Sequence, residues 1–225
     1  MAGEDTRERI LTAAERLFAE RGITSTSMRA LTAAAEVNLA AAHYHFGSKE
    51  ALLDAVIERR ALPLNAARVR ELERHEDERG DAGPEVESIF RAFLLPTVRD
   101  LIEGPEANDH LPRLFARVEA QPSELLEGLY RKHLGGVARR FVEALQRALP
   151  ELPKEVVANR FRLAMGSIFS LFSGNCDLDF IPGHPSQALS LEERLEQLIA
   201  FAAGGMRAPH SARRAPGPRV AEDPV

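Results

Sequence analysis

The sequence predicts an all-α protein, on three observations. Period-two alternation of apolar and polar residues does not persist, and β-branched residues are scattered. Ala, Leu, Glu and Arg, all strong helix formers, dominate the 225 residues. Apolar residues recur instead at three- and four-residue spacing, between interruptions by Gly and Pro.

A first helix is expected over residues 6–21. Ile10, Ala13, Ala14, Leu17 and Phe18 form one buried face, and Gly22 suits the left-handed position that ends it. Ser25 or Thr26 can cap a second, short helix. A tight turn at Glu36-Val37 follows, and Asn38 offers an acceptor for a third helix over about 38–44. Ser48, ahead of Glu50-Ala51-Leu52-Leu53, opens a fourth that continues towards Arg70 or beyond despite Pro63. The charged, Gly-containing run 71–84 reads as a solvated helix end and a flexible loop, a boundary between two parts of the chain. Further helices are expected near 85–103, 110–120, 123–149, 154–173 and 191–204, with Pro96 kinking the first of them. From Ala208 onward Pro, Gly, Arg and Ser dominate and little can be buried. The expected division is a head of residues 1–52, a larger helical body of 53–206 and a disordered tail of 207–225.

Composition narrows the function. The length can bury a sizeable core. The net charge of −5 provides no global attraction to nucleic acid, and residues 1–60 hold eight Lys or Arg against nine Asp or Glu. Phosphate contact needs only a local row of cations and amides, so this balance leaves DNA binding open. A single cysteine, Cys176, cannot form an internal disulfide, which fits a reducing cytosol. Ala2-Gly3-Glu4-Asp5 lacks the basic flank and apolar region of a signal peptide, and no apolar run approaches a membrane span. A soluble, cytoplasmic protein is expected.

Residues 26–46 read as two short helices joined by a tight turn. This helix-turn-helix argues for binding to duplex DNA. The leading run Thr6-Arg7-Glu8-Arg9-Ile10-Leu11-Thr12-Ala13-Ala14, then Leu17-Phe18-Ala19-Glu20-Arg21-Gly22, adds to it, as does Tyr44-His45-Phe46-Gly47-Ser48-Lys49-Glu50 after the third helix. Together they closely resemble the DNA-binding domain of the TetR family of bacterial repressors, over roughly the first quarter of the chain. In the recognition helix, Leu39, Ala40 and Ala41 suit close approach to thymine methyls, and His43 suits a base edge. Asn38 can cap or contact DNA. Tyr44 and His45 resemble the family's phosphate-contacting pair, Lys49 adds a cation beside a helix N-terminus, and Thr26, Ser27 and Arg29 face the other strand's backbone. Phe46 reads as a core wedge. One residue departs from the family pattern: Glu36 stands where Gly is common, at a cost of about 1 kcal/mol if positive φ is required.

The resemblance also implies a homodimer, built from the last two long helices of each subunit, on a palindromic double-stranded operator. Val157, Phe161, Leu163, Ala164, Ile168 and Leu171, with Leu195, Leu198, Ile199, Phe201 and Ala202, supply the apolar surface. It further implies a small-molecule effector held by the body. Phe90, Phe93, Leu94, Phe115, Met165, Phe169 and Phe172 are candidate pocket walls, with Arg99, Arg117 or Arg162 for an anionic headgroup. Ordinary core packing is the competing reading of the aromatic residues. The recognition sequence looks like a branch that includes regulators answering to fatty acids or acyl-coenzyme A.

Two other classes compete. An enzyme would need more than Cys176, Asp177, Asp179 and His184 in a loop, since a thiolate needs a nearby base and metal sites need more ligands at fixed spacing. No catalytic residue, metal or cofactor is expected. A helical interaction protein that has lost operator binding is the other alternative.

Overall fold

The computed structural model describes residues 2–103, 110–119, 121–173 and 189–210, and among them it is helical throughout. The helices are α1 (Ala2–Arg21), α2 (Met28–Ala34), α3 (Leu39–Phe46), α4 (Lys49–Arg79), α5 (Val86–Glu103), α6 (His110–Glu119), α7 (Ser123–His133), α8 (Gly135–Ala148), α9 (Lys154–Ser173) and α10 (Leu191–Arg207). No helix among the described residues is long and apolar enough to cross a membrane.

Local chemistry sets the helix ends. Gly22 ends α1 at φ +87°, and its N–H donates to the Phe18 carbonyl at 3.0 Å. Ser48 opens α4, its Oγ accepting from Ala51 N at 3.1 Å. Ser190 opens α10 in a reciprocal box with Glu193.

The chain buries two apolar clusters. One holds Ile10, Leu11, Leu17 and Phe18 of α1, Leu31, Ala42 and the start of α4 from Leu52 to Ile57. Leu114 and Val118 of α6 and Leu129 of α7 complete it, so the head core takes residues from the body. The other cluster gathers Leu72 of α4 with α5, α8, α9 and α10 around Phe90, Phe93, Phe141 and Phe161. Its rings pack at 5.0 Å for Phe93–Phe141, 5.8 Å for Phe93–Phe161 and 6.4 Å for Phe90–Phe161.

This arrangement corrects two of the expected helix limits. The run 71–84 is not a loop from its start, because α4 stays helical to Arg79 and a single 3-10 turn, Gly80–Ala82, follows. Arg74 bonds Glu71 and Glu78 along the same face, which supports the helix there. The 52/53 boundary falls inside α4, a helix shared by both cores. The helix expected over 123–149 divides at Leu134, letting α7 turn Leu129 to the head core and α8 turn Phe141 to the body core. Gly135-Gly136 was the available signal, since two glycines weaken a helix interior. At the other end α10 runs through Arg207, and residues 211–225 of the expected tail lie outside the described residues.

Charged pins join the helices. Arg68 of α4 is buried and donates from Nε to the Phe93 carbonyl at 2.9 Å, from Nη1 to Asn65 at 3.0 Å and from Nη2 to Thr97 at 3.0 Å. Its guanidinium lies 4.0 Å from the Phe93 ring centroid. Burial pushes its pKa down to about 9, which still leaves it charged at neutral pH. Asp54 of α4 meets Lys132 and His133 of α7. Burial pushes the Asp54 carboxyl up, but the hydrogen bonds from those two residues outweigh it and hold the pKa below its ordinary value.

Candidate nucleic-acid interface

The α1–α2 connection is tied down before any DNA contact is considered. Thr26 is buried, and its hydroxyl donates to the Gly22 carbonyl at 2.7 Å and lies 3.3 Å from that of Leu17. Its expected role at the DNA backbone is therefore corrected: a buried hydroxyl with carbonyls as partners is a loop brace. Ser27 caps α2, accepting from Ala30 N at 3.2 Å, and remains exposed. Arg29 is exposed and makes no hydrogen bond or ion pair among the described residues.

Glu36 sits in the turn at φ +52°, the positive-φ non-glycine residue among the described ones. The expected departure from the family pattern is thus a real strain. Arg9 of α1 offsets part of it, donating from Nη2 to the Glu36 carbonyl at 3.0 Å. Its contact with the Glu36 carboxylate, at 3.5 Å, joins two exposed side chains and contributes little. Glu36→Gly should therefore raise stability by about 1 kcal/mol, a rise of about 2–4 °C in thermal midpoint for a chain of this size. An unchanged or lower midpoint would show that the turn holds no strain.

Asn38 caps α3, its Oδ1 accepting from Ala41 N at 2.8 Å. Beyond the cap, Leu39 and Ala40 face outward, Ala41 is half-buried and Ala42 is fully buried. α3 therefore shows solvent a low, mostly apolar leading edge. His43 is exposed, with Nδ1 2.8 Å from the Gly47 carbonyl. A carbonyl can only accept, so Nδ1 carries the proton and Nε2 of the neutral ring is left as an outward acceptor. Tyr44 is 86% exposed, with its ring edge-on to half-buried His45 at 5.2 Å. Phe46 is the expected wedge, half-buried under the Arg7 guanidinium at 5.5 Å.

Lys49 has a task inside the head that the sequence did not show. Its Nζ donates to the carbonyls of Ile23 at 3.1 Å, Thr26 at 3.3 Å and Thr24 at 3.4 Å. The ammonium clamps the loop that delivers α2. Glu50 occupies the adjoining helix N-terminus. A bond to its own backbone amide, and then one to Ser48, holds its carboxyl below the usual value. Sequence reasoning missed Arg9 and the Lys49 clamp, because each meets carbonyls more than twenty residues away.

Among the described residues, the candidate ligand residues do not converge. Phe90 and Phe93 have no exposed surface and pack as core. Arg117 is an exposed residue of α6 lying beside Gly22 of the head. Arg162 is exposed on α9 and bonds Asn159, while Met165 is half-buried against the body core. The side chains of Phe115, Phe169 and Phe172 lie outside the described residues, as does the segment with Cys176, Asp177, Asp179 and His184. No group of three His, Cys, Asp or Glu fit to hold a metal occurs among the described residues.

Two family models match this geometry. One, described as bacterial regulatory proteins of the tetR family, covers residues 10–56, and the other, a tetracyclin repressor-like C-terminal domain, covers residues 91–205. The chain belongs to the TetR family. A TetR-family relative, the HTH-type transcriptional regulator UidR of Escherichia coli K12, is 43% identical over 54 residues. That match spans 24% of this chain and 28% of UidR. Solved structures extend the likeness of fold over the body. NalD of Pseudomonas aeruginosa, the secondary repressor of the MexAB-OprM multidrug efflux pump, superposes with a TM-score of 0.62 at 19% identity, over 91% of this chain and 97% of NalD. The fatty acid degradation regulator FadR of Bacillus halodurans gives 0.60 at 15% identity, over 90% and 96%. At these identities the likeness is one of fold. Head and body each match a TetR-family model, the head is also matched to UidR by identity, and the solved structures add a likeness of fold.

Proposed function

We propose that this TetR-family chain is a sequence-specific transcriptional repressor that grips a palindromic operator as a homodimer and releases it when a small molecule binds the body. The observation that carries the reading is the outward face of α3. A braced and capped helix presents Leu39, Ala40, His43 and an 86% exposed Tyr44, in the order a major groove and its flanking phosphate would meet them. Arg29, Ser27 and Tyr44 take the phosphate contacts, with Lys49 and Thr26 holding the frame behind them. Leu163 on α9 and Phe201 on α10, 56% and 69% exposed, support a two-fold contact through those helices.

The test is fluorescence anisotropy with labelled DNA from upstream of the protein's own gene, against unrelated competitor DNA. Tight binding that resists competitor and weakens steeply with salt is the expected result. Tyr44→Ala should weaken operator and unrelated DNA alike by about tenfold, the scale of one lost phosphate bond. His43→Ala should instead change base preference at one position while leaving the salt slope intact. If both variants bind as the parent does, α3 is not the reading helix. The acyl-coenzyme A expectation draws only on the head's resemblance, and a screen of such ligands in the same assay decides it.

A further inference from the structure

We propose that Arg9 of α1 is a positioning residue for the recognition helix: by holding the α2–α3 turn it fixes the tilt of α3 and so sets how selectively the head reads an operator. The inference rests on the operator-binding reading. Side-chain packing by itself holds α3 weakly. Of its eight residues only Ala42 is fully buried, and an alanine offers the head core a single methyl group. Phe46 anchors the far end, half-buried and covered by the Arg7 guanidinium at 5.5 Å. The leading end, which carries Leu39 and Ala40, is placed by the turn before it.

That turn is where the backbone is strained. Glu36 stands at φ +52°, a conformation that an L side chain disfavours. The turn amides bond backward into α2, Glu36 N–H to the Ala33 carbonyl at 3.2 Å and Val37 N–H to that of Thr32 at 3.0 Å. The Glu36 carbonyl instead takes its bond from another helix, from Arg9 Nη2 at 3.0 Å. Between α1 and the end of α2 lies a groove of about 370 Å³, with Arg9, Thr12, Arg16, Ala34 and Glu36 among its walls. The Arg9 bond thus spans a gap that packing leaves open.

A strained residue keeps its φ only while its surroundings enforce it. Without Arg9, Glu36 is free to relax towards negative φ, and that relaxation swings the helix that follows it. Base contacts demand placement within about half an ångström, whereas a flexible cation follows a phosphate over a wider range. Ser27 and Arg29, at the start of α2, precede the turn, so their phosphate contacts survive the swing. The loss therefore falls on selectivity rather than on DNA binding as such. The Glu36 carboxylate is a bystander, being 87% exposed and 3.5 Å from Arg9.

Anisotropy titrations of the full chain test this, on unrelated DNA and on an operator that the parent selects from random sequence. The Arg9 side chain is 41% exposed, so its loss leaves the head core intact. Arg9→Ala should lower operator affinity about tenfold, the scale of one lost base contact, and affinity for unrelated DNA less than about twofold. Adding Glu36→Gly should restore operator affinity, because glycine adopts positive φ without a hold. Adding Glu36→Gln should not, although it removes the same charge. An Arg9 that touched a phosphate itself would give equal losses on both DNAs, a shallower salt slope and no rescue by glycine. That pattern, or parental selectivity in Arg9→Ala, overturns the proposal. Amide exchange of the free protein reads the turn without DNA. The Val37 N–H should exchange faster in Arg9→Ala and slow again when Glu36→Gly is added. An unchanged rate in Arg9→Ala overturns the hold on the turn. A parent chain that selects no operator refutes the repressor reading, and the exchange rates still decide whether Arg9 holds the turn.

Discussion

Phe93→Ala is expected to destabilise the protein by about 4 kcal/mol, within the range for truncating a buried aromatic residue. Phe93 has no exposed surface and touches the rings of Phe141 and Phe161. It also carries the Arg68 guanidinium on its face, at 4.0 Å. Truncation thus opens a void at the centre of the body and strips a buried cation of its aromatic support. The cation has no carboxylate partner among the described residues to compensate. Urea denaturation at neutral pH measures the loss as a shift in midpoint at constant slope. A loss below about 1 kcal/mol would mean that the site tolerates a void, as a ligand-lined wall does, and would return Phe93 to the list of effector contacts.

Glu15→Ala is the second large effect, at about 2–3 kcal/mol. Removing one partner of a fully buried ion pair costs about 3–5 kcal/mol. Here the carboxylate is buried, but the side chains of Arg59 and Arg60 are 23% and 22% exposed, so water recovers part of the loss. The damage is expected to be local. Hydrogen exchange should quicken in α1 and the first half of α4, while amides of α8 and α9 keep their protection. Uniform quickening across the chain would show that the two cores unfold as one unit.

The legibility of this chain divides by distance along it. The ends of α1, α3 and α4 were readable because Gly22, Asn38 and Ser48 act on amides or carbonyls within four residues. The strained turn was legible only through the family resemblance, which expects Gly where Glu36 stands at positive φ. The Lys49 clamp was not readable, because a cation at a helix start looks the same whether it faces a phosphate or three carbonyls of the preceding loop. Thr26 was misread likewise: its burial is a property of the packed head. The aromatic residues of the body were ambiguous for a further reason. Helical spacing places Phe90 and Phe93 on one face, and only the position of α8 and α9 decides whether that face meets a ligand or other phenylalanines.

The sequence alone determined that the chain is helical, where most of the helices start and stop, and that a helix-turn-helix leads it. Periodicity, caps and left-handed glycines are interactions within a turn or two, so they are written into short stretches. The tertiary structure decided how long α4 runs, which body residues complete the head core, and which arginines are committed. Arg59 meets Glu15 across 44 residues and Arg91 meets Glu196 across 105. A charge on a helix carries no mark of its partner until packing brings the two within a few ångströms.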